Sequence, residues 1–367
     1  MDFYSQNRQD LTGQMLRLGV SVAHVRTMMA GAYKKLSPCP WAEASPPRLL
    51  KNWLDAHAEV LKVELSKIQV SMYDSSVKFL FKLSDGYEVE AVLMPESSRI
   101  TICLSSQVGC AQGCVFCFTG KMGLKRNLLA SEILIQVIEA NRWIDKNPNW
   151  LKTVKLPSFQ KVSNVVFMGM GEPLDNLNEV SKAVSIMTDP WGLNLAARKI
   201  TISTAGHLDG LKAALVSMPE ISYALSVHAT SETERSKLMP INRRFPIGDI
   251  LDFLREKSKS YDKDFLIQYT VIHNVNDSIE DALLLAEMLE GINVKVNLIP
   301  LNPIEPSRLN SPDPKRLEAF RDLLYEKGMR VMVRYSKGQD IMAACGQLVT
   351  SRFSPGTPAG NGAIGES

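Results

Sequence analysis

Seven short β-like segments alternate with six amphipathic segments through most of this 367-residue chain, and this alternation restricts the fold more than any other feature. The β-like segments are 100–104, 164–168, 199–203, 223–227, 265–271, 294–298 and 330–334. The amphipathic segments are 131–144, 177–187, 208–218, 247–257, 278–289 and 315–327. Such alternation predicts a parallel sheet covered by helices. We therefore predict an α/β fold, a partial parallel barrel of (β/α)6 type over residues 100–350.

The regions flanking the predicted barrel have different patterns. Residues 1–62 have helical periodicity broken by prolines and are predicted to form a small helical accessory domain. Within 63–99, two alternating runs flank Ser84-Asp85-Gly86-Tyr87, which is typical of a β-hairpin linking the two parts. Residues 351–367 are small, polar and Gly-rich, which predicts a disordered tail.

Composition sets broad limits on function. Hydrophobic residues make up 45% of the chain, enough for a large core, and the net charge of +3 permits an RNA partner without requiring one. The first ten residues contain no signal-peptide pattern, and no segment is apolar for long enough to span a bilayer. We expect a cytoplasmic monomer with no membrane partner.

Three of the six cysteines, Cys110, Cys114 and Cys117, lie within eight residues. This spacing favours a metal site over structural disulfides. Three thiolates suit a cubane iron–sulfur cluster whose fourth iron stays open for a ligand. The alternative is structural zinc held by three cysteines and a histidine. His57 and His207, the nearest histidines in sequence, form no recognisable ligand pair.

Several predicted strands are followed by loops with polar or reactive side chains, which we call the loaded loops. Active sites of parallel barrels assemble at this end of the strands. Gly169-Met170-Gly171-Glu172-Pro173 lacks the spacing of a dinucleotide-binding turn, and the sequence contains no P-loop motif. The loaded loops are 110–117, 169–173, 203–206, 226–229, 302–303 and 340–345.

The CxxxCxxC motif, with Phe116 before its third cysteine, resembles that of the radical S-adenosylmethionine (SAM) superfamily. The surrounding motifs resemble one family more narrowly, the dual-specificity RNA adenine-C2 methyltransferases, which act on 23S ribosomal RNA and certain transfer RNAs. The resemblance extends over about residues 78–348. It is carried by segments 103–110, 118–127, 166–174, 197–203, 235–242, 295–303 and 344–348.

The resemblance implies a mechanism and two cofactors. A [4Fe-4S] cluster on the three cysteines and two SAM molecules per turnover would supply a methyl group and a radical. Cys345 would carry the methyl group, and its methylene radical would add to C2 of adenine. Cys103 would release the product by forming a disulfide with Cys345, and Glu90 would accept the C2 proton. Each of the three also has a plain structural interpretation: a thiol packed in a turn, a core strand residue and a polar strand position.

By the same resemblance, SAM is expected to contact residues at several strand ends. Serine and asparagine in loops are more often turn or capping residues, and a histidine there can belong to the core. Val227 stands where the family usually has leucine, and Gln268 where it often has an acidic residue. The expected contacts are Gly171, Glu172, Ser203, Ser226, Val227, His228 and Asn302.

Basic residues in or beside the loaded loops predict a positive rim for RNA phosphates, although any single one could be an ordinary surface residue. The N-terminal helices, with Arg17, Arg26, Lys34 and Lys35, could add RNA contacts. An electron donor such as flavodoxin or ferredoxin is a further expected partner. Cys39 is assigned no role. The rim candidates are Lys121, Lys125, Arg126, Arg198, Lys199, Arg235, Lys237, Arg243 and Arg244.

Two other functions remain open from the sequence. A close relative family methylates C8 of the same ribosomal adenosine with the same five cysteines, and only the Gln107-Val-Gly and Lys125-Arg-Asn-Leu contexts favour C2. A non-catalytic zinc protein that binds RNA would explain the cysteine triplet. It would leave Cys103, Cys345 and Glu90 without a purpose.

Overall fold

A ten-stranded sheet forms the centre of the computed structural model, which describes residues 2–37, 39–42, 45–59, 63–157, 160–304 and 307–350. The strand order is β1-β2-β3-β4-β7-β8-β9-β10-β11-β12, and β5 and β6 form a separate ribbon. The strands are β1 Glu64–Val70, β2 Val77–Lys82, β3 Glu88–Glu96, β4 Arg99–Cys103, β5 Gln107–Val108, β6 Arg126–Asn127, β7 Asn164–Phe167, β8 Ile200–Thr204, β9 Ser222–Ser226, β10 Phe265–Val271, β11 Val294–Pro300 and β12 Val331–Val333.

From β5 onward, helices separate the strands along the chain. Most of those after β4 are amphipathic and bury an apolar face, as α10 does with Ile250, Leu251 and Leu254. The helices are α1 Arg8–Arg17, α2 Val22–Tyr33, α3 Arg48–His57, α4 Phe118–Met122, α5 Ala130–Lys146, α6 Pro148–Thr153, α7 Leu177–Thr188, α8 Leu208–Ser217, α9 Glu232–Leu238, α10 Ile247–Lys257, α11 Ile279–Met288 and α12 Pro314–Glu326.

The predicted fold class is confirmed. Strands β4 and β7 to β12 pair in parallel, and each of the seven predicted β-like segments coincides with one of them. The sheet has free edges at β1 and β12, so the barrel is partial. Because the parallel strands run the same way, their carboxyl ends meet at one end of the barrel.

The predicted hairpin is formed by β2 and β3, and Gly86 adopts a positive φ of 79° in its turn. β3 pairs antiparallel with β4, so the hairpin extends the sheet beyond the edge of its parallel part. The additional strand β1 was not predicted. It pairs with β2, and most of its residues are exposed. A strand of this kind does not need the apolar alternation by which a half-buried strand is recognised in a sequence.

The N-terminal region is helical and packs directly on the barrel. Phe3 and Tyr4 are fully buried and belong to the same apolar core as the barrel strands. Arg8 forms an ion pair with Asp189 at 3.1 Å, and the Arg142 side chain donates to the Leu36 carbonyl at 2.9 Å. In the part of the chain described here, no helix is both long and apolar enough to cross a membrane. The predicted disordered tail lies outside the described residues.

Candidate active site

A cavity opens where the carboxyl ends of the parallel strands meet. Ten of the thirteen site residues proposed from the sequence line it, although they come from loops spread along the whole barrel. The other three, Glu90, Cys103 and Val227, lie outside its lining. The ten are Cys110, Cys114, Cys117, Gly171, Glu172, Ser203, Ser226, His228, Asn302 and Cys345.

The three motif cysteines share one loop between β5 and α4, and Gly109 and Gly113 turn this loop with positive φ angles. Burial, together with the neighbouring Cys117 sulfur, raises the pKa of the Cys114 thiol to about 12. The pKa values of Cys110 and Cys117 are raised by burial as well. Thiols held in this way stay protonated at neutral pH unless a metal takes the place of the proton.

The loop also provides hydrogen-bond donors to sulfur. Backbone N–H groups of Thr119 and Gly120 and the Thr119 hydroxyl lower the pKa of Cys117 against the effect of burial, and the Gln112 N–H does so for Cys110. Donors of this kind stabilise the thiolates of iron–sulfur clusters and influence their potential. The donor set therefore fits a cluster with three cysteine ligands.

Among the described residues, no three His, Cys, Asp or Glu side chains converge as ligands of one metal ion. The three thiolates of a cubane bind three different irons, so they need not converge on one point.

Glu172 follows β7 and is held by two backbone donors. The Leu174 N–H donates to its Oε1 at 3.1 Å, and the Ala205 N–H, after β8, donates to its Oε2 at 2.7 Å. Burial nevertheless raises the pKa of Glu172 to about 7. Next to it, Gly171 has a φ of 103°, and a Cβ atom there would lie 2.5 Å from the Gln107 side chain. Glycine is therefore required for packing against Gln107, a reason that sequence reasoning did not identify.

His228 follows β9 and is held as a neutral ring. The Thr270 N–H donates to its Nδ1 at 2.8 Å, so the ring proton lies on Nε2. Burial lowers the pKa of His228 to about 3, and the charge of Arg235 contributes in the same direction. The side chain of the adjacent Val227 is buried outside the cavity, so it does not contact a ligand bound there.

Arg235 was predicted to belong to the RNA rim, but the structure places it inside the protein, fully buried. Its guanidinium donates to the carbonyls of Ala205 at 2.7 Å, Ser226 at 2.8 Å and Val227 at 3.0 Å, and to Asn242 Oδ1 at 2.6 Å. All of these acceptors are neutral. Arg235 therefore ties the loop after β8 to the loop after β9, and it is not available to phosphate.

Three other rim candidates also do not belong to an exposed rim at the cavity. Arg198 and Lys199 precede β8, so they lie at the opposite end of the barrel from the cavity. The sequence prediction counted them as lying beside the loaded loop 203–206, but β8 separates them from it. Arg126 is partly buried and bridges Asp85 in the hairpin turn and Glu132 on α5. Exposed candidates near the cavity end are Lys121, Lys125, Lys237, Arg243 and Arg244.

Cys345 lies in a segment, residues 342–349, that we call the Cys345 segment. Asn302 holds it, because its side-chain amide donates to the Cys345 carbonyl at 3.2 Å and to Ser336 Oγ at 2.8 Å. The Phe118 N–H donates to the Gly346 carbonyl at 2.8 Å. Cys345 is exposed to the cavity, yet the surrounding protein raises the pKa of its thiol, and Cys117 adds to that effect.

Cys103 ends β4 and is buried. Burial raises the pKa of its thiol, and repulsion from Cys345 adds to the rise, which places the two thiols within electrostatic reach of each other. In the sheet register Cys103 stands opposite Val92, and Glu90 is two residues from Val92 on the same face. Cys103 and Glu90 therefore share one face of the sheet beside the cavity.

Glu90 is buried and both of its carboxylate oxygens are engaged. Lys78 Nζ lies 3.0 Å from Oε1, and the Val349 N–H donates to Oε2 at 2.9 Å. Burial raises the pKa of Glu90, and Lys78 opposes that rise. Sequence reasoning did not identify Lys78, since a lysine on an alternating hairpin strand normally faces solvent.

Comparison with known proteins gives consistent results. The sequence profile of the radical SAM superfamily matches residues 104–286. The dual-specificity RNA methyltransferase RlmN of Desulfotalea psychrophila is 43% identical over 76% of this chain and 75% of its own length. The probable dual-specificity RNA methyltransferase RlmN 2 of Protochlamydia amoebophila is 35% identical over 95% and 94%.

A solved structure shares the fold over nearly the whole length. The radical SAM methyltransferase from Sphaerobacter thermophilus superimposes with a TM-score of 0.87 at 36% identity, covering 95% of this chain and 99% of that protein. The similarity therefore includes the N-terminal region and the hairpin as well as the barrel.

Proposed function

The chain belongs to the dual-specificity RNA methyltransferases of the radical SAM superfamily, and we propose that it methylates C2 of adenosine in 23S ribosomal RNA and in transfer RNA. The observation that carries the proposal is the position of Cys345, which lines the same cavity as Cys110, Cys114 and Cys117. A thiol that receives a methyl group and a cluster that generates a radical must share one space, since the radical has to reach the methyl group.

The target carbon explains why such a thiol is needed. C2 of adenine is an electrophilic amidine carbon, so polar methyl transfer from a sulfonium to it is unfavourable. A carbon radical adds to it readily. When bound, the [4Fe-4S] cluster and two SAM molecules per turnover supply the methyl group and a 5′-deoxyadenosyl radical.

The chain's own residues have distinct roles in this proposal. Cys110, Cys114 and Cys117 hold the cluster, and Cys345 carries the methyl group and joins its carbon to C2. Glu90 accepts the proton from C2. The Cys103 thiol then attacks the Cys345 sulfur, and its proton goes to the released product carbon, which becomes the methyl group. One electron also has to leave the radical adduct, and the cluster held by Cys110, Cys114 and Cys117 would accept it. A Cys103–Cys345 disulfide remains for reduction by an external thiol.

The SAM contacts are assigned on the same basis. Glu172 would bind the α-ammonium group of SAM, and the Nε2–H of His228 would donate to one of its acceptors. Gly171, Ser203, Ser226 and Asn302 border the same space. Val227 is assigned no direct contact, because its side chain is buried outside the cavity and its N–H and carbonyl pair with Gln268 and Arg235.

The decisive experiment identifies the product isomer. Ribosomal and transfer RNA from cells with and without the gene are digested separately, and the methyladenosines are resolved by liquid chromatography and mass spectrometry. We expect 2-methyladenosine in both RNA classes only when the gene is present. Appearance of 8-methyladenosine instead would assign the chain to C8 chemistry, and a signal in one RNA class alone would restrict the substrate.

Metal analysis tests the alternative of a zinc-stabilised RNA-binding protein. Anaerobic purification and reconstitution should yield a brown protein with about four iron and four sulfide per chain. A colourless protein that contains zinc and takes up no iron would contradict the radical mechanism. A Cys110→Ala variant is the matched control, because it should lose the cluster while keeping the other thiols.

A further inference from the structure

Lys78 forms a buried ion pair that the proposed mechanism does not yet use. Its side chain is 8% exposed and that of its partner Glu90 is 4% exposed, with 3.0 Å between Nζ and Oε1. Burying two charges is unfavourable unless the pair has good geometry and further hydrogen bonds. Lys78 stands on a strand whose other lysine, Lys82, is exposed at the surface, so its burial is specific to this position.

The register explains why these side chains meet. Leu80 stands opposite Glu90 across β2 and β3, and Lys78 is two residues from Leu80 on the same face. Lys78 and Glu90 are therefore diagonal neighbours. Cys103 lies on that face too, opposite Val92. One face of three adjacent strands thus carries a cation, a carboxylate and a thiol.

The pair also holds the Cys345 segment at both ends. Lys78 Nζ donates to the Met342 carbonyl at 3.2 Å, and the Val349 N–H donates to the second Glu90 oxygen at 2.9 Å. Cys345 lies between these two anchor points in the sequence. The same two side chains therefore determine both the orientation of the Glu90 carboxylate and the path of the segment that carries Cys345.

We propose that Lys78 is a positioning residue for the methyl transfer, holding Glu90 ionised and oriented as the proton acceptor beside the Cys345 segment. The inference rests on the function proposed above. In the step concerned, the C2–H bond of the RNA adduct breaks, its electron pair remains in the adenine ring, and the proton goes to a Glu90 oxygen. An acceptor that is already protonated cannot perform this step.

The electrostatic surroundings of Glu90 make Lys78 the dominant cation. Burial favours the protonated form of Glu90, and the charge and hydrogen bond of Lys78 are the largest opposing effects. The Val349 N–H and the more distant Lys67 contribute less. Lys67 is exposed on the edge strand β1, so solvent screens it. The neighbouring Cys103 and Cys345 thiols have raised pKa values and carry no charge at neutral pH.

The test is a single-turnover assay of adduct resolution against pH, using the cluster-loaded enzyme and an RNA fragment. Covalent protein–RNA adduct is measured on denaturing gels, and 5′-deoxyadenosine is measured as an independent sign of radical formation. For Lys78→Met we expect normal 5′-deoxyadenosine, accumulated adduct and resolution about tenfold slower at pH 7. We expect the acidic limb of the profile to move upward by about one pH unit, since more of Glu90 is then protonated.

Two variants control for structural effects. Lys78→Arg keeps the charge and should restore most of the resolution rate, whereas Lys82→Met removes an exposed lysine of the same strand and should match the wild type. If Lys78→Met does not fold, Lys78→Gln, which keeps a donor but no charge, takes its place with the same expectation.

Two results would overturn the inference. The first is a pH profile of Lys78→Met or Lys78→Gln that coincides with the wild type. The second is a folded, cluster-loaded variant that makes 5′-deoxyadenosine but never forms adduct, which would limit Lys78 to holding the Cys345 segment. Failure of the proposed function is a separate result, because it would appear as the wrong product isomer, or no product, in the wild type.

Discussion

The protein on the two sides of the cavity is built on different principles. On what we call the cofactor side, formed by Glu172, Ser226, His228 and Arg235, each charged or ionisable group is held by neutral backbone groups. On the hairpin side, formed by Lys78, Glu90, Cys103 and the Cys345 segment, there is a buried ion pair, and two thiols that are distant in the sequence interact electrostatically. The cofactor side is suited to fixed recognition of a ligand. The hairpin side is suited to steps in which protons and sulfur bonds are exchanged.

Removing the Cys345 thiol should have the largest effect and should affect only the hairpin side. We expect Cys345→Ala to reduce RNA methylation at least about a thousandfold and to form no protein–RNA adduct, because no carrier remains for the methyl group. Cluster content and SAM binding should stay normal, since Asn302 holds the backbone carbonyl at this position. Transfer of an isotope-labelled methyl group to RNA measures the loss on the hairpin side. Iron analysis measures the cluster content separately.

Cys39 provides a matched control for that experiment. It is another free cysteine, partly buried, and it lies in the N-terminal region. Cys39→Ala should methylate RNA at the wild-type rate. Loss of the cluster in Cys345→Ala would contradict the expectation that the two sides of the cavity act independently.

Removing Cys103 should stop the reaction later. We expect Cys103→Ala to form the covalent RNA adduct and to retain it, because no second thiol is available to attack the Cys345 sulfur. Multiple-turnover methylation should be lost, while up to one adduct per enzyme accumulates on a denaturing gel. The double variant Cys103→Ala/Cys345→Ala should form none. Normal turnover by Cys103→Ala would remove this residue from the mechanism.

Except for Arg235, the cofactor side could be predicted from sequence because its residues follow strands. A chain segment that alternates strands and helices places the residue after each strand at one barrel end, so Glu172, Ser203 and His228 could be brought together without a structure. The predictions of the thirteen site residues and of the seven parallel strands depended on such local patterns and on motif resemblance.

The hairpin side could be predicted only in part, because its contacts join distant parts of the chain. Lys78 meets Glu90 through the register of β2 and β3, and it meets Met342 through the path of the chain after β12. Neither contact leaves a periodic signal near Lys78. The prediction for Arg235 was wrong for a related reason: an arginine on the short helix α9 looks like a surface residue until the two loops beneath it are known.

Replacing Arg235 should weaken the cofactor side as a whole. Arg235→Met leaves the carbonyls of Ala205, Ser226 and Val227 without their donor, and we expect a loss of roughly 3 kcal/mol in stability. SAM affinity should fall about tenfold as the loops after β8 and β9 relax. Anaerobic melting curves and calorimetric titration with SAM measure these effects. Lys237→Met is the matched control on the same helix, since Lys237 is exposed and pairs with Glu234 at the surface.

The smallest predicted effect concerns pH, and it has opposite signs at two residues of the cofactor side. Burial lowers the pKa of His228 to about 3, so the unfolded chain takes up a proton below about pH 6.5 while the folded protein does not, and stability falls as pH falls. Burial raises the pKa of Glu172 to about 7, so between about pH 4.5 and 7 the folded protein holds the extra proton, and stability falls as pH rises.

From pH 8 to 5.5 each of these effects amounts to roughly 1–2 kcal/mol, so they largely offset each other in the wild type. Relative to the wild type, acidification should lower the melting temperature of cluster-loaded Glu172→Gln and raise that of His228→Gln. Iron-bound thiolates add negative charge near Glu172 and move its pKa in the same direction as burial does. Shifts of equal sign in the two variants would mean that His228 or Glu172 is not buried in the form described here, and that the cofactor side is less rigid than its backbone hydrogen bonds indicate.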